Sequence, residues 1–239
     1  MSGHSKWSKV KRIKGPLDAK RGKMFSKLGR EIAIAAKIGG GDPGMNPRLR
    51  MVLLKCRSAN MPADNIDRAI KKGTGGGEAS NYEDLTYEIY APHGVALLVE
   101  LSTDNRNRTA AEVRSIVTKN GGSIATAGAV SRLFHRKGHF LLPREAAGED
   151  ELMELALDAG AEDFKADEDG FEIITDPAHF EAVHRAVEGR GLKPAVAEIA
   201  ALPELTVPLE DEAAAAEVAR LVEALEEDDD VKEVYSNAG

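Results

Sequence analysis

Basic and acidic residues are segregated along this chain, and this segregation limits what its two parts can pack against. Residues 1–75 contain 18 Lys and Arg but only 5 Asp and Glu, a net charge of +13. Residues 76–239 contain 14 Lys and Arg and 35 Asp and Glu, a net charge of −21. A segment as basic as the first attracts a polyanion, and nucleic acid is the commonest polyanion in a cell. The sequence therefore predicts a nucleic-acid-binding segment attached to an acidic body.

Length and composition narrow the class of protein further. The 239 residues suit one to three domains, and 42% hydrophobic residues are enough for real cores. The single cysteine, Cys56, excludes an internal disulfide and a thiolate zinc site within the chain, and we expect it to be a buried thiol. No apolar run is long enough to span a membrane, and the N-terminus lacks the apolar core of a signal peptide. We expect a cytoplasmic protein with no membrane partner, no cofactor and no metal.

The first 15 residues alternate basic and small polar side chains, with one tryptophan among them. They offer little apolar surface to bury, which favours an arm that becomes ordered on a partner over a plain disordered terminus. Trp7 can stack on a base or dock on the protein's own helices.

Three helices are predicted to follow the arm. The first runs from Pro16 to about Ile38, and its apolar side consists of Met24, Phe25, Leu28, Ile32 and Ala35. Its opposite side carries Lys20, Lys23, Lys27, Arg30 and Lys37, a row of like charges that a phosphate backbone explains better than solubility does. Asn46-Pro47 begins the second helix, and the third ends at Lys71-Lys72-Gly73. We interpret Gly75-Gly76-Gly77 as a hinge.

The pattern changes to strands after the hinge. Alternation from Leu85 to Ala91 and an apolar run from Val95 to Leu101 predict two strands. Thr109 with Glu112 predicts a capping box for the next helix, and 130–134 is predicted to return as a strand. We interpret the five acidic residues 226–230 as a solvated helix end and turn.

Residues 138–200 are predicted to form strand, helix, strand, strand, helix, strand, which is the order of a ferredoxin-like unit. Strand, helix and strand at 205–209, 211–226 and 231–236 are too few elements for a domain. We therefore predict an α+β fold of three domains, in which the third, ferredoxin-like domain is inserted in the second. The predicted boundaries are 1–77 for the arm and helical domain, 82–135 plus 204–239 for a discontinuous α/β domain, and 138–202 for the insertion.

The loop 103–109 is the densest polar cluster outside the basic third. Its Asn and Asp side chains can close turns by themselves. Arg106 and Arg108 fit a helix start poorly, because a helix N-terminus disfavours cations. A phosphate on the backbone N–H groups would explain both arginines, so turn architecture and an anion site remain open alternatives.

Enzyme signatures are thin. The chain has no His-Glu-x-x-His, Gly-x-Ser-x-Gly or phosphate-loop motif, and its six histidines are scattered. A hydrolase or transferase would need a pocket with perturbed titratable groups.

The residues predicted to contact nucleic acid are Lys6, Trp7, Lys9, Lys11, Arg12, Lys14, Lys20, Arg21, Lys23, Lys27, Arg30, Arg48, Arg50, Lys71, Lys72, Asn105, Arg106 and Arg108.

Several motifs, in order, resemble the YebC family. They are GHSKW at 3–7, DAKRGK at 18–23, GGDP at 40–43, NPRLR at 46–50, NMP at 60–62, DNI at 64–66, RAIKKG at 68–73 and TDNRNRT at 103–109. The resemblance implies one helical and two α/β domains and no enzymatic activity or small-molecule substrate. It also implies gene regulation: the family is described as DNA-binding transcriptional regulators. Relatives act as translation factors on the ribosome, where ribosomal RNA and tRNA are the partners, and help it through consecutive prolines.

Overall fold

The structure is a computed structural model that describes residues 18–75 and 82–239, with side chains from Arg21 onward in the first range. The predicted arm with Lys6, Trp7, Lys9, Lys11, Arg12 and Lys14 lies outside the described residues. So do Pro16, the side chain of Lys20 and the two hinge glycines Gly76 and Gly77. None of the described helices combines the length and hydropathy that a membrane crossing requires.

The first described range forms three helices: α1 (Asp18–Gly39), α2 (Pro47–Ser58) and α3 (Ala63–Thr74). The apolar side of α1 predicted from the sequence packs against α2 and α3, and Cys56 is fully buried in this core. Asn46 joins two helices: its side-chain oxygen accepts from Leu49 N (3.0 Å) at the start of α2, and its nitrogen donates to Ala35 O and Gly40 O (both 2.8 Å) at the end of α1. The amide thereby links the end of α1 to the start of α2 and satisfies the free N–H of Leu49.

The first sheet contains β1 (Glu83–Tyr90), β2 (Ala96–Thr103), β3 (Ser123–Ile124) and β8 (Val231–Ser236), in the order β3-β1-β2-β8. All of its pairings are antiparallel. Helices α4 (Arg106–Lys119) and α7 (Glu212–Glu226) pack on one face of the sheet around a core of valines and leucines. Because β8 pairs with β2, the last residues of the chain complete a sheet begun about 150 residues earlier.

The second sheet contains β4 (Phe134–Pro143), β5 (Ala161–Ala166), β6 (Gly170–Thr175) and β7 (Val196–Pro203), in the order β5-β6-β4-β7. Helices α5 (Glu149–Asp158) and α6 (Phe180–Gly189) cover one face, where Phe140 and Phe180 stack with ring centroids 4.8 Å apart. This strand order and the two crossover helices are those of a ferredoxin-like unit. The predicted α+β class with its ferredoxin-like part is confirmed, whereas the domain boundaries by residue number stay a prediction.

Three local predictions are wrong. Residues 130–133 form a turn with a short 3₁₀ segment (Ser131–Leu133), because the N–H groups of Gly128, Val130 and Ser131 donate to the carboxylate of Glu88 (2.6, 2.5 and 2.8 Å) and leave none for a strand ladder. These three donors lower the pKa of Glu88, although burial by itself would raise it.

The other two errors concern a cap and a strand. Helix α4 begins at Arg106, three residues before the predicted Thr109 cap, because the Asn105 side chain accepts from Arg108 N at 3.1 Å. Residues 205–209 form one isolated bridge, from Val207 to Ala238. Pro208 has no N–H to donate, so a regular ladder cannot continue there.

Gly73 lies where α3 packs so closely on α1 that no side-chain atom fits between them. A Cβ at Gly73 would lie 2.3 Å from the backbone oxygen of Ala33 in α1. We expect Gly73→Ala to lower the free energy of unfolding by roughly 1–3 kcal/mol, because backbone cannot move aside as a side chain can. Urea unfolding followed by circular dichroism measures this.

The matched control is Gly22→Ala in α1, where an added Cβ meets nothing within 4 Å. We expect this variant to be as stable as the parent or more stable by about 0.5–1 kcal/mol, because alanine favours helix. Equal midpoints for the two variants would contradict the close approach of α1 and α3.

Candidate nucleic-acid interface

The basic side of α1 meets the acidic body of the same chain. We call Lys23, Lys27 and Arg30 the basic face, and residues Glu226–Asp230, between α7 and β8, the acidic turn. The Lys27 ammonium donates to the backbone oxygens of Glu226 (2.6 Å), Asp228 (2.5 Å) and Val231 (2.9 Å). An ammonium has three protons, so Lys27 has no donor left for a phosphate in this arrangement.

The position of Lys27 between the two regions removes its ammonium from water. Burial lowers the pKa of Lys27, and the neighbouring Lys23 lowers it further, against the raising effect of Asp228, Asp229 and Glu226. The carbonyl oxygens it binds include Glu226 O, at the C-terminal end of α7, where the helix dipole is negative and carbonyls lack helical partners. Lys27 therefore acts as a C-terminal cap of α7, although it lies about 200 residues away in the sequence.

The other two members of the basic face pair with the side chains of the turn. Arg30 Nη1 donates to Asp229 O (2.9 Å) and to Asp230 Oδ1 (3.1 Å), and its guanidinium lies 5.5 Å from the ring centroid of Tyr82. Lys23 Nζ lies 3.7 Å from Asp229 Oδ1, with 42% and 70% of the two side chains exposed. The contact is thus open to solvent at Lys23 and closed at Asp230.

Asp230 connects the acidic turn to the loop 103–109. Its Oδ2 accepts from Arg108 Nη2 at 2.8 Å and from the Thr109 hydroxyl at 2.7 Å, while Thr103 Oγ1 lies 2.8 Å from Thr109 Oγ1. Burial by itself raises the pKa of Asp230, but the hydrogen bonds from Arg108 and Thr109 outweigh it, so the pKa is lowered. The loop has turn architecture, and the anion beside it is a carboxylate of the same chain.

The remaining members of the loop have separate roles. Asn105 caps α4, as described above, and Arg106 is largely exposed, 3.7 Å from Glu83 Oε2. Three carboxylates, of Glu112, Asp228 and Asp230, place oxygens within 4.8 Å of one another. Arg108 lies beside them: its guanidinium pairs with Asp230 and lies 3.9 Å from Glu112.

The predicted contacts on α2 and α3 differ from each other. Arg48 pairs with Asp84 (2.8 Å), and Arg50 pairs with Glu181 (2.7 Å) and also donates to Pro43 O (2.7 Å). Lys71 and Lys72 are exposed on the last turn of α3, and Arg21 is exposed near the start of α1. The structure therefore brings the basic face and Arg108 together at the acidic turn, and it places Lys71 and Lys72 elsewhere.

Sequence reasoning missed the residues that hold these cations. Asp230 is 5% exposed, but it belongs to a run of acids that we interpreted as solvated. Lys55 was also missed: it lies 3.0 Å from Glu233. Burial alone would lower the pKa of Lys55, but Glu233, Glu31 and Glu198 raise it well above its usual value. The only signal in the sequence was the opposite net charge of the two regions, which indicates that they attract each other but does not identify the residues that pair.

The three helices, the two antiparallel sheets and the charged contact between them define a multidomain α+β protein with a basic N-terminal region. The family model of the TACO1/YebC protein N-terminal domain matches residues 5–76, and that of the TACO1/YebC second and third domain matches residues 82–238. The chain therefore belongs to the TACO1/YebC family, and the resemblance seen in its motifs is confirmed.

Similar proteins match almost the whole chain. A Rubrobacter xylanophilus protein named probable transcriptional regulatory protein is 53% identical over 238 residues, 99% of this chain and 95% of its own. An Opitutus terrae protein of the same name is 53% identical over 237 residues, 99% and 96% of the two chains. The crystal structure of a conserved hypothetical protein from Aquifex aeolicus is 46% identical, with a TM-score of 0.83 over 95% of this chain and 93% of its own.

Asp230 gives a testable measure of the contact. We expect Asp230→Asn to lower the free energy of unfolding at neutral pH by roughly 1.5–3 kcal/mol, the range for hydrogen bonds to charged groups. The pKa of Asp230 is depressed, so its contribution is present above the unfolded value of about 3.9 and is lost as pH falls through the folded value. Urea midpoints measured between pH 7 and pH 2.5 should therefore converge for parent and variant at the acid end.

Asp229→Asn is the control, since Asp229 is largely exposed and its pair with Lys23 is a surface pair. We expect its free energy of unfolding to change by at most about 1 kcal/mol at any pH. A loss at Asp229→Asn as large as that at Asp230→Asn would show that Asp230 is not the central residue.

Proposed function

We propose that this protein is a non-enzymatic regulator of gene expression that binds nucleic acid through its basic N-terminal region. The observation that carries the proposal is the net charge of +13 over residues 1–75 in a chain whose remainder is strongly acidic. Sequence-independent affinity for nucleic acid comes from such concentrations of Lys and Arg. The relatives named probable transcriptional regulatory protein support the regulatory role.

The surroundings of Cys56, Lys55 and Asp230 support binding over catalysis. Burial raises the pKa of the Cys56 thiol to about 12, so it stays protonated and is a poor nucleophile. The shifts at Lys55 and Asp230 accompany ion pairs, which is what a structural network produces. A catalytic group would instead be shifted and open to a substrate cleft.

Duplex DNA and the ribosome are the two candidate targets. Transcriptional control through DNA agrees with the names of the relatives. One observation favours the second candidate, a translation factor that relieves stalling at sequences such as consecutive prolines. Lys27 and Arg30 of α1 are engaged by the acidic turn, and the exposed Lys71 and Lys72 lie at a helix end. Contacts of this kind suit phosphates of structured RNA better than base edges in a major groove.

Lys71 and Lys72 test the surface directly. We expect Lys71→Gln with Lys72→Gln to weaken binding of a fluorescein-labelled 20-base-pair duplex several-fold, because two phosphate contacts are lost. If the parent makes six such contacts, its plot of log affinity against log salt has a slope of about −5, and the variant's slope is shallower by about 2. Fluorescence anisotropy over a salt series measures both quantities with the full-length chain.

Lys193→Gln with Arg220→Gln is the matched control, since both side chains are exposed on the acidic body and the charge change is the same. We expect it to bind like the parent. Equal losses in both double variants would assign the effect to net charge and contradict a role for the end of α3.

Sedimentation with ribosomes distinguishes the two targets. We expect the protein to pellet with purified ribosomes at physiological salt and to stay bound in the presence of excess duplex DNA. Removal by low concentrations of duplex would instead assign it to DNA. Failure to bind ribosomes, duplex and single-stranded RNA alike would overturn the proposed function itself.

A further inference from the structure

The acidic turn occupies the basic face as a polyanion would. Five consecutive acidic residues, Glu226 to Asp230, present backbone and carboxylate oxygens to three cations spaced along one helix. We propose that nucleic acid and the acidic turn compete for the basic face, so that the turn must leave α1 before a phosphate backbone can bind there. This inference rests on the proposed function and adds to it the surface and its internal competitor.

Competition follows from how the donors are used. All three protons of Lys27 go to carbonyl oxygens, and the Arg30 guanidinium donates to Asp229 O and Asp230 Oδ1. A phosphate oxygen needs the same donors at the same distances. The two occupants therefore exclude each other at Lys27, and each phosphate bound there replaces an oxygen of the turn.

The contact has a weak outer edge at which displacement can begin. Lys23 and Asp229 are both substantially exposed, and exposed ion pairs contribute little and are screened by salt. Lys27 is deeper, and its lowered pKa reflects a desolvated ammonium that gains from any closer anion. A duplex or a folded RNA brings many phosphates, so it can exchange with the turn stepwise from the exposed end.

Asp230 determines which contact opens. Its carboxylate is held by Arg108 and Thr109 on the body as well as by Arg30 on α1. When Arg30 leaves, Asp230 keeps two partners, so no buried charge is left unpaired. The turn therefore stays on the body while α1 moves away together with α2 and α3, with which it shares a core. This movement also breaks the pairs of Lys55 with Glu233 and of Arg48 with Asp84, and it requires no unfolding of the first sheet.

The test weakens the turn and leaves the face unchanged. Glu226→Gln with Asp229→Asn removes two of the carboxylates whose charges act on Lys27 and leaves Asp230 intact. With the full-length chain and a labelled 20-base-pair duplex at 0.1 M salt, we expect binding about three- to tenfold tighter than that of the parent. The control is Glu168→Gln with Asp169→Asn in the turn between β5 and β6, which makes the same charge change away from α1. It should change affinity less than twofold.

Amide hydrogen exchange provides a second test, whose result does not depend on the change in net charge of the variants. Saturating duplex should speed amide exchange in peptides spanning 226–231, whose carbonyls lose Lys27, and leave the β5–β6 turn unchanged. Binding that leaves exchange at 226–231 unchanged, with equal affinities for the two double variants, would overturn the competition while the proposed function stood. Absence of binding by the parent and by both variants to duplex and RNA would overturn both.

Discussion

The carboxylate of Asp230 is shared by two parts of the chain that no local pattern connects. One oxygen accepts from Arg30 in the helical region, and the other accepts from Arg108 and Thr109 at the start of α4. The arrangement depends on the carboxylate being ionised, because a protonated Asp230 would leave two guanidinium groups beside a neutral partner. Asp230 thereby links Arg30 of α1 to the loop 103–109 through one carboxylate.

The opposite net charges of the two regions become contacts at several places along the first helices. Lys55 pairs with Glu233 on β8, Arg48 with Asp84 on β1, and the basic face with the acidic turn. Each pairing relieves the repulsion that either region would have by itself. It also engages cations that the proposed function assigns to nucleic acid, so that under this proposal affinity and domain contact are opposed.

The sequence predicted the order of elements well and the contacts between them poorly. Apolar periodicity located α1, β1, β2 and the ferredoxin-like unit, since each pattern is confined to about ten or twenty residues. The prediction of a strand at 205–209 was wrong because alternating apolar residues indicate which side chains are buried, whereas a strand also requires a neighbouring strand to pair with. The loop 103–109 stayed ambiguous because its anion, Asp230, lies more than 120 residues away. The acidic residues 226–230 were interpreted as solvent-exposed for the same reason, because the cations that contact them lie about 200 residues upstream.

The separation of Lys27 from its carbonyl partners has a consequence for synthesis of the chain. The contacts join positions 199 to 204 residues apart, so they cannot all form until residue 231 has been translated. Domains fold as they emerge, N-terminal first. During that interval the nascent helical region lacks the carbonyl oxygens that bind Lys27, and translation of residues 226–231 supplies them.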